Sequence, residues 1–313
     1  MRRLLKGIIF VIGLLAIPAA INHWIFKRAK KETAAYYKSY SYKWRHGKIH
    51  YTVAGKGKPL LLLHDTTLGG NMQDWKRNIA ALSKRYRVYV PDLLGFGHSD
   101  KPDTTYSAYL YVTLINDFIN DVIGEKTNVA AQGFSAAYAV MAYDFEPSMH
   151  NKMMLIAPCG VGSRRQMPTS GSVWLRWLLR SPIIGTSIYN LAVSRCYLKW
   201  TMHNHGFADT TLVKRFLTER YDAAHRGGAA AKLPFAAFVS HFLNVNIEHV
   251  LARTAIPIHV IWGKDDPVNP VENAHVFTVH CPRATLTIFD KSKRFPHGEH
   301  PQQFDKICES FFG

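Results

Sequence analysis

The sequence predicts an α/β fold in which helices flank a mostly parallel sheet, and three observations carry this prediction. Short apolar runs alternate with helical patterns along the chain after residue 47. Several runs are continuous, as at residues 60–63, which is typical of strands buried on both faces of a parallel sheet. Residues 160–250 hold helical patterns without a convincing strand, which indicates a helical insertion between two sheet strands.

The elements follow in chain order from these patterns. The predicted strands are residues 48–54, 59–64, 87–91, 127–132, 152–157, 257–263 and 284–290. The predicted helices between them are residues 74–84, 107–123, 136–144, 271–280 and 301–311. We therefore expect an N-terminal segment (1–31), a linker (32–46), an α/β core (47–158 and 251–313) and a helical lid (159–250).

The N-terminal segment resembles a membrane anchor. The twenty residues 7–26 contain no charged side chain, and basic residues flank them on both sides. Such a run is long enough to cross a bilayer as a helix, although Pro18, Asn22 and His23 interrupt its apolar character. We expect a single-pass N-terminal transmembrane helix; the alternative is a signal peptide that is cleaved from a secreted protein.

The charge is unevenly distributed, and this bears on the class of partner. The formal net charge is +17, of which residues 1–50 carry +10 and residues 159–250 carry +7. A basic protein of this kind first suggests a nucleic-acid partner, but no nucleic-acid-binding motif is present. Basic flanks and a lid segment rich in Trp, Leu and Arg (173–180) instead favour an anionic membrane surface.

Composition excludes other classes. Hydrophobic residues make up 47% of the chain, which excludes an intrinsically disordered protein. Four scattered cysteines exclude a small disulfide scaffold, and they are compatible with disulfides or with buried free thiols. The histidines show no His-x-x-x-His spacing with a nearby carboxylate, so we expect no metal and no cofactor.

Chemistry-bearing residues follow the predicted strands. A Gly-x-Ser-x-Ala turn centred on Ser135 comes between the strand 127–132 and a helix, which is the context of a nucleophile elbow. A run with the pattern D-x-x-G-x-G-x-S-x-x-P begins at Asp92, and Asp266 follows the strand 257–263. The polar turn at His64 and a Phe-Pro-His-Gly-Glu stretch ending at Glu299 complete the set.

Together these motifs, in this order, resemble the α/β-hydrolase family over residues 44–313. The resemblance implies a catalytic triad of Ser135, Asp266 and a histidine, with Asp265 the less favoured acid. It also implies an oxyanion hole formed by the backbone N–H groups of Thr66 and Ala136.

The sequence departs from the family pattern at two charged positions. Arg294 occupies the slot in which the family has its catalytic histidine, and arginine cannot act as a base. His297, three residues later, is the remaining base candidate, and a locally packed histidine is the alternative. Asp65 stands where glycine is common, and it could pair with Arg294.

Two functions therefore remain open. One is a membrane-associated serine hydrolase that acts on carboxylic esters or similar hydrophobic, lipid-like acyl substrates through Ser135, Asp266 and His297. The other is a catalytically degenerate hydrolase-fold protein that binds or scaffolds at the membrane.

Overall fold

A computed structural model describes residues 2–29, 38–161 and 167–313. Its eight strands are β1 (Ser39–Trp44), β2 (Gly47–Ala54), β3 (Lys58–Leu63), β4 (Tyr86–Pro91), β5 (Thr127–Gln132), β6 (His150–Ile156), β7 (Ile258–Gly263) and β8 (Thr285–Phe289). They form one sheet in the order β1-β2-β4-β3-β5-β6-β7-β8. β1, β2 and β4 pair antiparallel, and every other neighbouring pair is parallel. The predicted α/β fold with a mostly parallel sheet is confirmed.

The helices lie on both faces of this sheet and in the insertion. Those before the insertion are α1 (Arg2–Ala29), α2 (Ile79–Leu82), α3 (Ala108–Phe118) and α4 (Gly133–Phe145). The insertion contains α5 (Ser170–Arg180), α6 (Ile184–Ala192), α7 (Arg195–Thr201), α8 (Thr211–His225), α9 (Lys232–Val239) and α10 (Glu248–Leu251). The chain ends with α11 (Glu272–His280), α12 (Pro296–Glu299) and α13 (Pro301–Phe312).

The continuous apolar run in β3 shows why the sheet is buried on both sides. Successive side chains of a strand point to opposite faces. Leu61 and Leu63 accordingly join the larger core with α3 and α4, and Leu60 and Leu62 join the second core with α13. The parallel strands therefore all place their carboxyl ends at one protected edge, where the turns after β3, β5, β7 and β8 meet.

β1 was not predicted from the sequence, because its pattern is that of an edge strand. Its six residues are mostly exposed and rich in Tyr, Ser and Lys, and they lie within the segment expected to be a linker. Main-chain pairing with β2 forms this strand, with little contribution from apolar burial. Residues 32–37 of the expected linker lie outside the described residues.

The predicted transmembrane helix is not supported. α1 is continuous through Pro18, but no helix among the described residues is both long enough and apolar enough to span a bilayer. In the second half of α1, Asn22 is buried against the insertion and donates to Ser187 Oγ at 3.0 Å.

The cysteines do not form disulfides. Cys159, Cys281 and Cys308 are buried thiols, and Cys196 is an exposed thiol on α7. Burial raises the pKa of Cys308 and Cys281, so these two thiols stay protonated.

Candidate active site

The turn after β5 is the structural centre of the site. β5 ends at Gln132, and Gly133 follows with φ +58°, a left-handed conformation that L side chains rarely adopt. In a nucleophile elbow the strained residue between strand and helix is the one that displays the nucleophile. Gly133 holds this position, and it has no side chain.

Ser135 stands two residues further on, inside the first turns of α4. It has no exposed surface, and its hydroxyl donates to the backbone carbonyl oxygen of His64 at 2.6 Å. The structure therefore does not place Ser135 at the turn where the sequence pattern predicted it. The small residues that allow close packing around the turn are Ala131 and Ser135. The small-x-nucleophile-x-small spacing of a nucleophile elbow therefore centres on Gly133, two residues before Ser135.

The oxyanion-hole prediction changes for the same reason. The N–H that follows the turn belongs to Phe134 and not to Ala136, and it donates to Asp65 Oδ1 at 3.0 Å. Ala136 is fully buried one helical position beyond Ser135. Thr66 lies in the predicted loop after β3, where its hydroxyl shares a hydrogen bond of 3.2 Å with the Tyr138 hydroxyl.

Asp65 and Arg294 form a buried ion pair across this turn. Arg294 Nη2 donates to Asp65 Oδ2 at 2.5 Å, and the two side chains are 17% and 0% exposed. A Cβ atom on Gly133 would overlap the Asp65 carboxylate. The pairing that the sequence suggested is confirmed, and it fills the space above the turn.

The electrostatics keep Arg294 charged. Burial by itself would lower the pKa of the guanidinium, but the carboxylates of Asp65 and then Asp266 raise it above its ordinary value. The side chain of Gln132 also donates to the Arg294 carbonyl at 2.8 Å, which fixes the loop. A permanent cation therefore faces Asp266 at the position of the family's histidine.

Asp266 has the surroundings expected of the acid position. It is 4% exposed and follows β7 by three residues, and its Oδ1 accepts the N–H groups of Val268 and Asn269 at 2.8 and 3.0 Å. Its function as a triad acid remains a prediction.

His297 lies in a different environment, on α12. Its ring is fully buried and packs against Trp75, with ring centroids 4.4 Å apart, and against Phe304 at 5.8 Å. Burial and then the charge of Arg220 lower its pKa to about 3. A general base works best with a pKa near the operating pH, so His297 is a poor proton acceptor in this state.

A small cavity lies beside Thr66, in the loop after β3. The cavity beside Thr66 has a volume of about 20 Å³ and is lined by Phe96, Tyr189 and Phe238, among others. That volume accommodates roughly one water molecule, whereas sites for small organic ligands are typically several hundred Å³.

One cluster among the described residues has donor atoms spaced for a metal ion. Donor atoms of His50, Asp92 and His98 lie within 4.8 Å of one another. The Asp92 carboxylate already accepts the backbone N–H groups of Met72 at 2.7 Å and His98 at 2.8 Å. We assign Asp92 to holding together the loops after β3 and β4.

Comparison with known proteins agrees with this architecture. The sequence model of the alpha/beta hydrolase family matches residues 60–307. The chain belongs to this family. It is 26% identical over 272 residues to a 2-hydroxy-6-oxo-6-(2'-aminophenyl)hexa-2,4-dienoic acid hydrolase of Metapseudomonas resinovorans, covering 83% of this chain and 86% of that protein.

Solved structures show the same fold. A meta-cleavage product hydrolase of Pseudomonas fluorescens superposes with a TM-score of 0.72 at 22% identity, covering 87% of this chain and 97% of the other. A bacterial membrane phospholipase A superposes with a TM-score of 0.68 at 21% identity, covering 100% and 98%. These superpositions show that the chain has the alpha/beta hydrolase fold.

Sequence reasoning missed Gly133 and Phe134, although one signal pointed to them. The predicted strand already ended at residue 132, which makes Gly133 the first residue of the turn. The Gly-x-Ser match pointed to Ser135, whereas the position of the turn is defined by the end of the strand.

Proposed function

We propose that this alpha/beta hydrolase has lost hydrolytic turnover and functions as a binding protein. The observation that carries the proposal is the position of the Asp65 carboxylate, which lies over Gly133, accepts from Phe134 and pairs with Arg294. Together these contacts remove two requirements of acyl transfer.

The first requirement is a nucleophile with a base. Gly133 offers no side chain at the turn, and Arg294 stays protonated, so neither attack nor proton removal can occur at the family's positions. The second requirement is a site that stabilises a negatively charged oxygen. Asp65 places a carboxylate on the Phe134 N–H, and a negative charge there opposes a developing oxyanion.

The substitutions also compensate one another. A buried carboxylate or guanidinium alone is costly, whereas the Asp65–Arg294 pair satisfies both groups. Asp65, Gly133 and Arg294 together therefore form a stable non-catalytic arrangement.

Fluorophosphonate labelling of the full chain tests this proposal. We expect no labelling of the native protein and no turnover of short acyl esters, because no activated nucleophile is present. The matched variant Asp65→Gly/Gly133→Ser/Arg294→His restores the three family residues and is expected to gain labelling. Labelling of the native protein that Ser135→Ala abolishes would overturn the proposal.

Hydrolysis remains the second candidate because Asp266 keeps the acid position and its two backbone hydrogen bonds. The relatives are hydrolases of hydroxy-oxo-dienoic acids, so a small hydrophobic acid is the substrate class in that case, with a carboxylic ester as the alternative expected from the sequence. Ser135 and His297 would have to leave their buried positions. Labelling lost in both Ser135→Ala and His297→Ala supports this candidate, and labelling lost in neither excludes it.

The membrane partner expected from the sequence also remains a proposal. We propose that the protein contacts an anionic lipid surface through α1 and the helical insertion.

A further inference from the structure

Exposed apolar side chains are concentrated in two parts of the described chain. Of its seventeen exposed large apolar side chains, twelve lie on α1 or between Met167 and Trp200 in the insertion. Trp174 and Trp177 on α5 are 63% and 69% exposed, and Leu191 on α6 is 71% exposed. A soluble monomer rarely exposes so many large apolar groups in one region, so this surface indicates an interaction site.

The helices that carry these side chains are neighbours. α6 contacts α1, α5 and α7, so the exposed groups belong to one connected layer of helices. Buried amides hold α1 in place: Asn190 Nδ2 donates to Asn22 Oδ1 at 2.8 Å, and Asn22 donates to Ser187. This polar contact fixes the rotation of α1 about its axis.

The fixed rotation turns an apolar stripe of α1 outward. At 3.6 residues per turn, Ile17, Ile21 and Trp24 lie on the side of the helix opposite Asn22. Their exposed fractions are 66%, 52% and 56%, whereas Phe26 packs against the insertion. α1 therefore has one docked face and one exposed apolar face.

The charge of the same surface is of one sign. The sequence contains no Asp or Glu before Glu32, and none between Glu146 and Asp209. Lys27 and Arg28 on α1 are exposed, as are Arg195 and Lys199 on α7. Exposed tryptophans with flanking cations and no acids match an anionic lipid surface.

A second copy of the chain is the other occupant to consider. A twofold interface buries the same patch of both subunits, so the cations of one copy would face those of the other without acidic partners. Anionic phosphate groups neutralise these cations, and head-group-level insertion suits the Trp rings.

We propose that α1 and the helices α5–α7 form one docking face for anionic phospholipid bilayers. α1 lies on the bilayer with its Ile17–Trp24 stripe immersed, and Trp174 and Trp177 insert at the head-group level. The proposal is independent of catalysis, because none of these residues touches the turn at Gly133.

Vesicle sedimentation of the full chain tests the docking face. The native protein is expected to bind phosphatidylcholine vesicles containing phosphatidylglycerol, and Trp174→Ala/Trp177→Ala is expected to bind about tenfold more weakly. The matched control is Tyr109→Ala/Phe145→Ala, an exposed aromatic pair outside the docking face with ring centroids 6.3 Å apart, which should bind as the native protein does. Arg195→Gln/Lys199→Gln should lose several-fold of its affinity for the anionic vesicles, since each cation near the surface adds attraction.

Three results overturn the proposal. One is failure of the native protein to bind anionic vesicles, and another is native-like binding by the tryptophan variant. The third is a lipid-free dimer, measured by light scattering, that the tryptophan variant converts to a monomer, because that assigns the surface to a second copy. Circular dichroism of each variant separates a loss of binding from a loss of folding.

Discussion

Removal of Asp65 should destabilise the protein far more than removal of an exposed ion-pair partner. Asp65→Ala leaves the Arg294 guanidinium, whose side chain is 17% exposed, without its 2.5 Å partner. Loss of one member of a buried pair typically costs about 3–5 kcal/mol. The variant also removes the acceptor of the Phe134 N–H, and the loss of a hydrogen bond costs about 1 kcal/mol.

The nearby Asp266 carboxylate should keep the loss of stability near the lower end of this range. Asp266 is close enough to raise the Arg294 pKa and still faces the cation in the variant. We therefore expect Asp65→Ala to lower the free energy of unfolding by about 3–4 kcal/mol. The matched control is Asp290→Ala, because the Lys264–Asp290 pair has exposed side chains (61% and 77%), and it should leave the unfolding midpoint unchanged.

A double-mutant cycle measured by urea unfolding isolates the pair itself. Arg294→Met alone leaves the Asp65 carboxylate buried without its cation, and Asp65→Ala/Arg294→Met removes both charges. The double variant should be more stable than the sum of the single effects predicts, by about 2–3 kcal/mol. Additive effects within about 0.5 kcal/mol would refute the reasoning, because they would show that the two groups do not interact in the folded protein.

Three other predictions follow from the same contacts. Gly133→Ala should lower the free energy of unfolding by about 1–3 kcal/mol through backbone strain, and by a further amount because the new Cβ overlaps the Asp65 carboxylate. The same substitution in an Asp65→Gly variant should keep only the strain contribution. Equal destabilisation in both proteins would contradict the overlap. In the folded protein the pKa of His297 is about 3, whereas in the unfolded chain it is about 6.5. As the pH falls below about 6.5, only the unfolded chain binds a proton at this histidine, so the free energy of unfolding decreases. Urea midpoints measured between about pH 6 and pH 4 should fall less steeply in His297→Phe, and an unchanged slope would exclude this assignment. Thiol titration of the folded protein should modify Cys196 alone, so that Cys196→Ser abolishes the fast reaction; fast modification of a second thiol would contradict the burial of the others.

The sequence identified seven of the eight strands because their apolar content reports their burial directly. β3 is buried on both faces, and four of its six residues are leucine. β1 was not predicted because an edge strand is held by main-chain hydrogen bonds, which leave no pattern in the side chains. For α1, the sequence shows the apolar residues but not the contact of Asn22 with Ser187 on α6.

The catalytic positions were harder to predict than the fold. Both departures, Arg294 and Asp65, were visible in the sequence, and so was their possible pairing. Ser135 stays a prediction as the nucleophile, since a Gly-x-Ser pattern does not report which residue has the left-handed φ. That angle is set where β5 ends and α4 begins, and it belongs to Gly133.

The sequence by itself determined the fold class, the order of the strand-end motifs and the segregation of positive charge, because these depend on the local pattern of side chains. Only the tertiary structure decided which residues share the site. Asp65 and Arg294 are 229 positions apart, yet they meet over Gly133, whereas His297, only three residues from Arg294, points into an apolar core. Sheet order and the start of a helix bring distant residues together and separate close ones, and neither is encoded in the spacing of a motif.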